Sequence, residues 1–173
     1  MNRKVLLNVS RFIILLLLQV LVFRRISMFW GGFTYVHFMV YPLFILLLPI
    51  RLPPVVVVLL SFLMGISVDI FYDSPGVHAA ASVFLGYVRN AIIKLLEPYE
   101  GYNMEDSPTL KTMGLSWFMS YQALTLIIFL FTYFSIEAFS FVYIFDIILD
   151  TIFTFIASFI VLLIMQFVFR TKY

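Results

Sequence analysis

The sequence contains no cysteine and few charged residues, and both shortages restrict what the protein can be. Without cysteine there is no disulfide framework, no thiolate nucleophile and no cysteine-based metal site. Charged residues make up 12% of the chain and hydrophobic residues 64%, whereas soluble domains have about 25% and about 45–50%. The composition therefore predicts an integral membrane protein.

Motifs of catalysis and of nucleic-acid binding are also missing. There is no Walker-type glycine-rich loop, no GxSxG and no HExxH, and the two histidines lie far apart, at positions 37 and 78. The net charge of +2 comes with no basic run of the kind that binds nucleic acid. We therefore expect no catalytic residues, no cofactor, no metal site and no nucleic-acid partner.

Hydrophobic runs dominate what is present. A helix needs about 20 apolar residues to cross the hydrocarbon core of a bilayer, and six runs approach or exceed that length. They predict an all-α membrane protein, a single domain over residues 1–173, with six transmembrane helices in one compact bundle. The predicted spans are 6–23, 35–50, 54–72, 77–96, 112–135 and 142–169, and residues 97–111 form a solvent loop.

The first and second of these runs have features that bear on how they cross the membrane. The first is followed by Arg24 and Arg25 rather than by a small-residue cleavage site, so we interpret it as a retained span and not as a signal peptide. Pro42 and Pro49 indicate that the second is kinked or broken, which a membrane bundle tolerates where neighbours satisfy the freed carbonyls.

The basic residues predict the orientation, because Lys and Arg near span ends resist translocation. With a cytoplasmic N-terminus, only Arg24 and Arg25 of the eleven Lys and Arg residues lie outside. Both termini and the loop 97–111 are then cytoplasmic, and the turn DSPG at 73–76 faces out. For Arg11, Arg89 and Lys94 we expect side chains that reach the headgroups at the cytoplasmic face.

Small and polar residues recur every four positions on the third and fourth spans. Ser61, Gly65 and Asp69 share one face of the third, and His78, Ser82, Gly86 and Asn90 share one face of the fourth. Because only DSPG separates the spans, they form an antiparallel hairpin in which small residues allow close approach. This register pairs Asp69 with His78, Gly65 with Ser82 and Ser61 with Gly86. These small and polar residues either have packing and interfacial roles, or they form a ligand or proton site.

A second hypothesis concerns the outer half of the bundle. Judged by depth alone, five polar residues converge on an outward-facing polar cavity or partner contact: Gln19, Asp69, His78, Asp146 and Asp150. The alternative for Asp146 is a simple electrostatic role at a helix N-terminus, where the macrodipole favours negative charge.

The stretch GISVDIFYDSPGVHAAASVFLGYV, from residue 65 to 88, resembles the most characteristic segment of the MreD family of bacterial rod-shape-determining membrane proteins. In that family a Gly-x-x-x-Asp-hydrophobic pattern ends a span, a Ser and Gly turn follows, and a Gly-Tyr comes later. The matching residues here are Gly65, Asp69, Ile70, Ser74, Gly76, Gly86 and Tyr87. The turn is one residue shorter than the family's usual form and places His78 where other residues occur, so the resemblance does not imply the pairing of Asp69 with His78.

The resemblance implies a non-catalytic scaffold of the cell-elongation machinery in the bacterial cytoplasmic membrane. Such proteins work with the scaffold MreC, the MreB filament, and the glycosyltransferase RodA with its partner transpeptidase. Together these proteins determine where lateral peptidoglycan synthesis takes place. Membrane lipid is a further expected partner. The implied fold is similar to the substrate-binding subunits of energy-coupling-factor vitamin transporters. A small-solute binding subunit of such a transporter is therefore the alternative function, and it requires an enclosed pocket lined with aromatic and polar groups.

Overall fold

The computed structural model describes residues 3–29, 36–99, 101–102 and 107–168, and the regular structure in these ranges is entirely helical. The described residues form eight α-helices: α1 (Arg3–Leu17), α2 (Arg24–Phe29), α3 (Pro42–Leu46), α4 (Pro54–Tyr72), α5 (Val77–Leu95), α6 (Leu110–Met113), α7 (Leu115–Ala138) and α8 (Ile144–Val168). A π-helical turn, Leu18–Phe23, joins α1 to α2, and a 3₁₀ turn, Phe141–Tyr143, precedes α8.

Four helical stretches are long and apolar enough to cross a membrane: Val5–Ile26, Pro54–Tyr72, Leu115–Ala138 and Ile144–Val168. They correspond to the first, third, fifth and sixth predicted spans. Each carries exposed aliphatic side chains, such as Ile13 on α1, Leu59 on α4 and Ile156 on α8. A surface this apolar is suited to lipid and not to water, so the protein is an all-helical membrane protein.

Helix α5 is as long as α4 and runs antiparallel to it, as the hairpin prediction required. Its histidine, arginine, asparagine and lysine make it less apolar than α4, α7 and α8. The connecting turn uses two left-handed residues, Asp73 at φ 55° and Gly76 at φ 86°. Glycine adopts this conformation without strain, which explains the glycine of the predicted family motif at position 76.

The α4–α5 contact is very close at Gly65. A Cβ atom at this position would lie 2.5 Å from the Cα atom of Ala79, so only glycine fits there. The nearest neighbours of Gly65, which the sequence pairs with Ser82, are the backbone of Ala79 and the carbonyl of His78. One turn deeper, the predicted pairing of Ser61 with Gly86 is confirmed, because a side chain at Gly86 would overlap the hydroxyl of Ser61.

The second predicted span, 35–50, is not a transmembrane helix. Of its described part, residues 36–40 are non-helical, α3 contributes one short helix, and turns follow to residue 52. We call residues 36–48 the central segment. Every residue from Met39 to Leu48 is buried. Pro42 lacks an N–H and starts α3 at its first position, which is where a helix tolerates proline.

Candidate functional site

The carboxylate of Asp69 binds the first turn of the neighbouring helix. Its two oxygens accept hydrogen bonds from the backbone N–H groups of His78 at 3.0 Å and Ala79 at 2.8 Å, and from the hydroxyl of Ser74 at 2.7 Å. The N-cap residue of α5, Gly76, has no side chain to cap the helix. Asp69 therefore caps α5 from α4, and its negative charge lies at the favourable end of the helix dipole.

The imidazole of His78 completes this contact. Its Nδ1 lies 3.0 Å from the Asp69 carboxylate, so the predicted pairing of these residues is confirmed. Because a carboxylate oxygen only accepts, Nδ1 carries the proton. Three tyrosine rings surround the imidazole, with centroid distances of 5.7 Å to Tyr41, 5.0 Å to Tyr72 and 4.8 Å to Tyr133. His78 is thus packed against α4, α7 and the central segment, and it is 1% exposed.

Gln19 lies in the π-helical turn and bonds to the backbone of the central segment. Its amide nitrogen donates to the carbonyl of Phe38 at 3.0 Å, and its amide oxygen accepts from the N–H of Val40 at 2.8 Å. The same nitrogen lies 2.7 Å from the hydroxyl of Tyr72, which connects Gln19 to the His78 cluster. One side chain therefore satisfies both kinds of backbone group in a stretch that has no helical partners.

Helix α8 satisfies the backbone on the other side of the central segment. The hydroxyl of Thr154 accepts from the N–H of His37 at 3.1 Å, and that of Ser158 accepts from the N–H of Met39 at 2.9 Å. Both hydroxyl-bearing residues are fully buried. Together with Gln19, they provide the hydrogen bonds that non-helical backbone needs at membrane depth.

Arg89 and Tyr121 also satisfy backbone groups of the central segment, at the C-terminal end of α3. The guanidinium of Arg89 donates through Nη2 to the carbonyl of Leu48, and the hydroxyl of Tyr121 donates to the carbonyl of Leu46 at 3.1 Å. These are carbonyls at or just beyond the C-terminus of α3, where cations and donors are favourable. Arg89 is 0% exposed. The expectation that it reaches the headgroups is therefore wrong, whereas Lys94 is exposed.

Sequence reasoning missed the role of Arg89 although a signal was present. Arg89 follows Ser82 by two helical turns and Gly86 by one, so it lies on the small-residue face that packs inside the bundle. Asn90, which the prediction placed on that face, is only partly buried. The pattern of small residues thus indicated the buried face more reliably than the charge indicated exposure.

The predicted outer polar cavity is not formed by its five residues. Gln19, Asp69 and His78 come together, but they are 1%, 4% and 1% exposed and bond to protein groups. Asp146 is exposed in the first turn of α8, which fits the electrostatic alternative. Asp150 is partly exposed one turn deeper and interacts electrostatically with His37. Residues of similar depth are therefore divided between a packed network and the surface.

The remaining motif residues have structural contacts. Ser74 lies in the turn and bonds to Asp69, and Ser82 is fully buried on α5. Within the described ranges, no group of three or more His, Asp or Glu side chains is arranged to hold a metal ion. The hydroxyl of Ser74 also lies 2.9 Å from Nδ1 of His78, so Asp69, Ser74 and His78 form one bonded group at the start of α5. The arrangement as a whole fixes backbone and joins helices.

In comparisons with known proteins, no family model, no curated protein and no solved structure matches this chain.

Proposed function

We propose that this protein is a non-catalytic membrane scaffold of the MreD type, which takes part in rod-shape determination and lateral peptidoglycan synthesis. The observation that supports the proposal is what the buried polar side chains bind. Gln19, Asp69 and Arg89 all bind the chain's own backbone. Such groups build a rigid body with a lipid-facing exterior, and they are not presented to a substrate.

The proposed topology has six crossings with both termini in the cytoplasm of a bacterial cell. Helix α5 crosses beside α4, to which it is bonded by Asp69. The central segment also crosses, because extended backbone advances about 3.3 Å per residue and a helix about 1.5 Å. With the non-helical residues 36–40 taken as extended and residues 41–46 as helical, the segment covers about 26 Å, close to the thickness of the hydrocarbon core.

The proposed partners are MreC, together with RodA and its transpeptidase and the MreB filament in a larger complex. What supports a scaffold is the surface: α1, α4 and α8 each present apolar side chains outward, at Leu17, Phe62 and Phe153 among others. In a bilayer such faces bind lipid or the helices of other membrane proteins.

The alternative, a vitamin-binding subunit similar to those of energy-coupling-factor transporters, has less support. The aromatic and polar residues that would line its pocket are packed against one another around His78. A groove of about 500 Å³ does lie between α4, α5 and α7, but it is open and lined almost wholly by apolar side chains such as Val58, Phe84 and Ile136. A vitamin needs polar partners as well.

The test is co-purification after mild detergent extraction. We expect an MreC-like protein to be recovered with the wild-type chain and to be lost with Gly65→Leu, which separates α4 from α5. Ala91→Leu, a matched change at an exposed position of α5, keeps the partner. Recovery of a pair of ATPase subunits and a bound vitamin instead contradicts the proposal.

A further inference from the structure

An exposed tyrosine lines the open groove between α4, α5 and α7, which we call the lateral groove. Tyr87 is 74% exposed, compared with 43% for Phe84 one turn away. The groove is lined by Val58 from α4, by Ala80, Phe84 and Tyr87 from α5, and by Thr132 and Ile136 from α7. It therefore combines an apolar lining with one exposed phenol.

Tyr87 lies well inside the membrane-spanning part of the bundle. Its neighbour Gly86 packs against Ser61, which comes seven residues after the start of the 19-residue α4. With a rise of 1.5 Å per residue, this level is roughly 10 Å from the nearer end of α4. Helical side chains lean towards the N-terminus of their helix, and the N-terminus of α5 lies at the opposite end. The Tyr87 hydroxyl is therefore directed towards the middle of the bilayer, away from the interfaces where tyrosine is enriched.

The Tyr87 hydroxyl differs from the other hydroxyls on the outer faces of α4 and α7. Those hydroxyls donate to a carbonyl one turn back in their own helix, and they belong to Ser67, Ser120, Thr132 and Ser135. The aromatic ring holds a tyrosine hydroxyl too far from the helix axis for this bond. Within the described residues, no hydrogen bond satisfies the hydroxyl of Tyr87.

Lipid alone does not satisfy this hydroxyl. Acyl chains cover apolar walls, but they contain no hydrogen-bond acceptor, and a polar group without a partner is costly in hydrocarbon. A transmembrane helix satisfies both needs, because its apolar side chains fill the groove and a Ser, Thr, Asn or Gln side chain accepts from the phenol. Small residues let membrane helices approach closely, and Ala80 is exposed in the groove two turns from Tyr87.

We infer that the lateral groove binds one transmembrane helix of a partner protein, and that this helix accepts a hydrogen bond from Tyr87 within the bilayer. The inference rests on the proposed scaffold function and deepens it, because it assigns the groove to the membrane-spanning part of the MreC-like partner.

The experiment places a photo-crosslinker in the groove of the full chain. Phe84 is replaced by p-benzoylphenylalanine and the native membranes are irradiated. Ile156, which is 52% exposed on α8, is replaced in the same way as the control. We expect position 84 to give an adduct whose crosslinked peptide comes from a transmembrane helix of the MreC-like protein, and position 156 to give none.

Two pairs of variants test the hydroxyl and the groove separately. Tyr87→Phe removes only the hydroxyl, so we expect a roughly three- to tenfold lower adduct yield, as for one hydrogen bond between membrane helices. Tyr143→Phe, at a 54% exposed position before α8, leaves the yield unchanged. Val58→Trp fills the groove from a partly exposed position of α4 and abolishes the adduct. Val9→Trp adds the same bulk at an exposed position of α1 and keeps it.

The outcomes separate this inference from the scaffold function. Lipid adducts alone at position 84, or a protein adduct whose yield either Tyr87→Phe or Val58→Trp leaves unchanged, overturn the inference. The scaffold function still stands in that case if the MreC-like protein is recovered by co-purification. An adduct with a helix of a different protein that depends on Tyr87 supports the groove as a helix-binding site and contradicts the scaffold function.

Discussion

Asp69 on α4 accepts a hydrogen bond of 2.8 Å from the backbone N–H of Ala79 on α5, so one helix of the hairpin caps the other. The same carboxylate accepts from the N–H and Nδ1 of His78. An acidic residue inside a membrane bundle thus has a structural explanation: it replaces the capping side chain that Gly76 lacks.

The first prediction concerns this cap. Asp69→Asn keeps the shape of the side chain but removes the charge and replaces one acceptor by a donor that faces an N–H group. We expect a loss of about 2–3 kcal/mol in the free energy of unfolding, because charge-assisted hydrogen bonds to a buried group are among the strong ones. The measurement is unfolding in mixed detergent micelles followed by circular dichroism.

Asp73→Asn is the matched control. The side chain of Asp73 is 88% exposed, and its contact with Arg24 is 3.6 Å long. Exposed ion pairs contribute about 0–1 kcal/mol, so we expect little change. Similar losses from the two substitutions would mean that Asp69 does not cap α5.

The second prediction uses the two glycines of the hairpin contact. At Gly86 an added methyl group would overlap the side chain of Ser61 and make an ordinary contact with the Val57 carbonyl at 3.5 Å, whereas at Gly65 it would overlap the backbone of Ala79 and His78. Overpacking a tight contact costs about 1–3 kcal/mol. We expect both Gly86→Ala and Gly65→Ala to destabilise the protein, as measured by thermal unfolding in detergent.

A second-site change separates the two glycines. Ser61→Gly clears the space beside position 86, so it should rescue Gly86→Ala. It should not rescue Gly65→Ala, because backbone atoms cannot be removed. Rescue of both variants, or of neither, would contradict the observed register of α4 against α5.

How far the sequence predicts this fold differs from helix to helix. The third predicted span, 54–72, has the bounds of α4, since prolines precede it and a turn motif ends it. The fourth differs from α5 by one residue at its end. The second span was wrong because hydropathy measures burial and not backbone conformation. An apolar run that is buried on all sides has the same hydropathy whether its backbone is extended or helical.

The contacts of the polar residues were predictable only where short loops fix the register. The turn between α4 and α5 placed Asp69 beside His78, as observed. Gln19 and Ser158, by contrast, bind the central segment across 19 and more residues of chain. No local pattern links these positions, so depth in the membrane was the only guide, and depth does not distinguish a cavity from a packed contact.

The third prediction concerns Gln19. Gln19→Leu leaves the N–H of Val40 and the carbonyl of Phe38 without their partner, and each buried unsatisfied group costs about 1–3 kcal/mol. We therefore expect a large loss of stability in detergent unfolding. Gln166→Leu, at a partly exposed position of α8, makes the same chemical change and should have little effect. Equal effects would show that Gln19 does not hold the central segment.

The central segment lies inside the bundle, is buried from Met39 to Leu48, and has its backbone bound by the side chains of neighbouring helices. Because the chain has no cysteine, single-cysteine variants can carry a spin label at each position from 39 to 48 and, for comparison, across α4 from 55 to 71.

The decisive measurement is the accessibility of these labels to oxygen, which dissolves in the lipid. For α4 we expect maxima that recur every 3 to 4 residues, at exposed positions such as Leu59, Leu63 and Ile70. For residues 39–48 we expect uniformly low accessibility with no helical period. A helical period of lipid exposure across 39–48 would contradict the account.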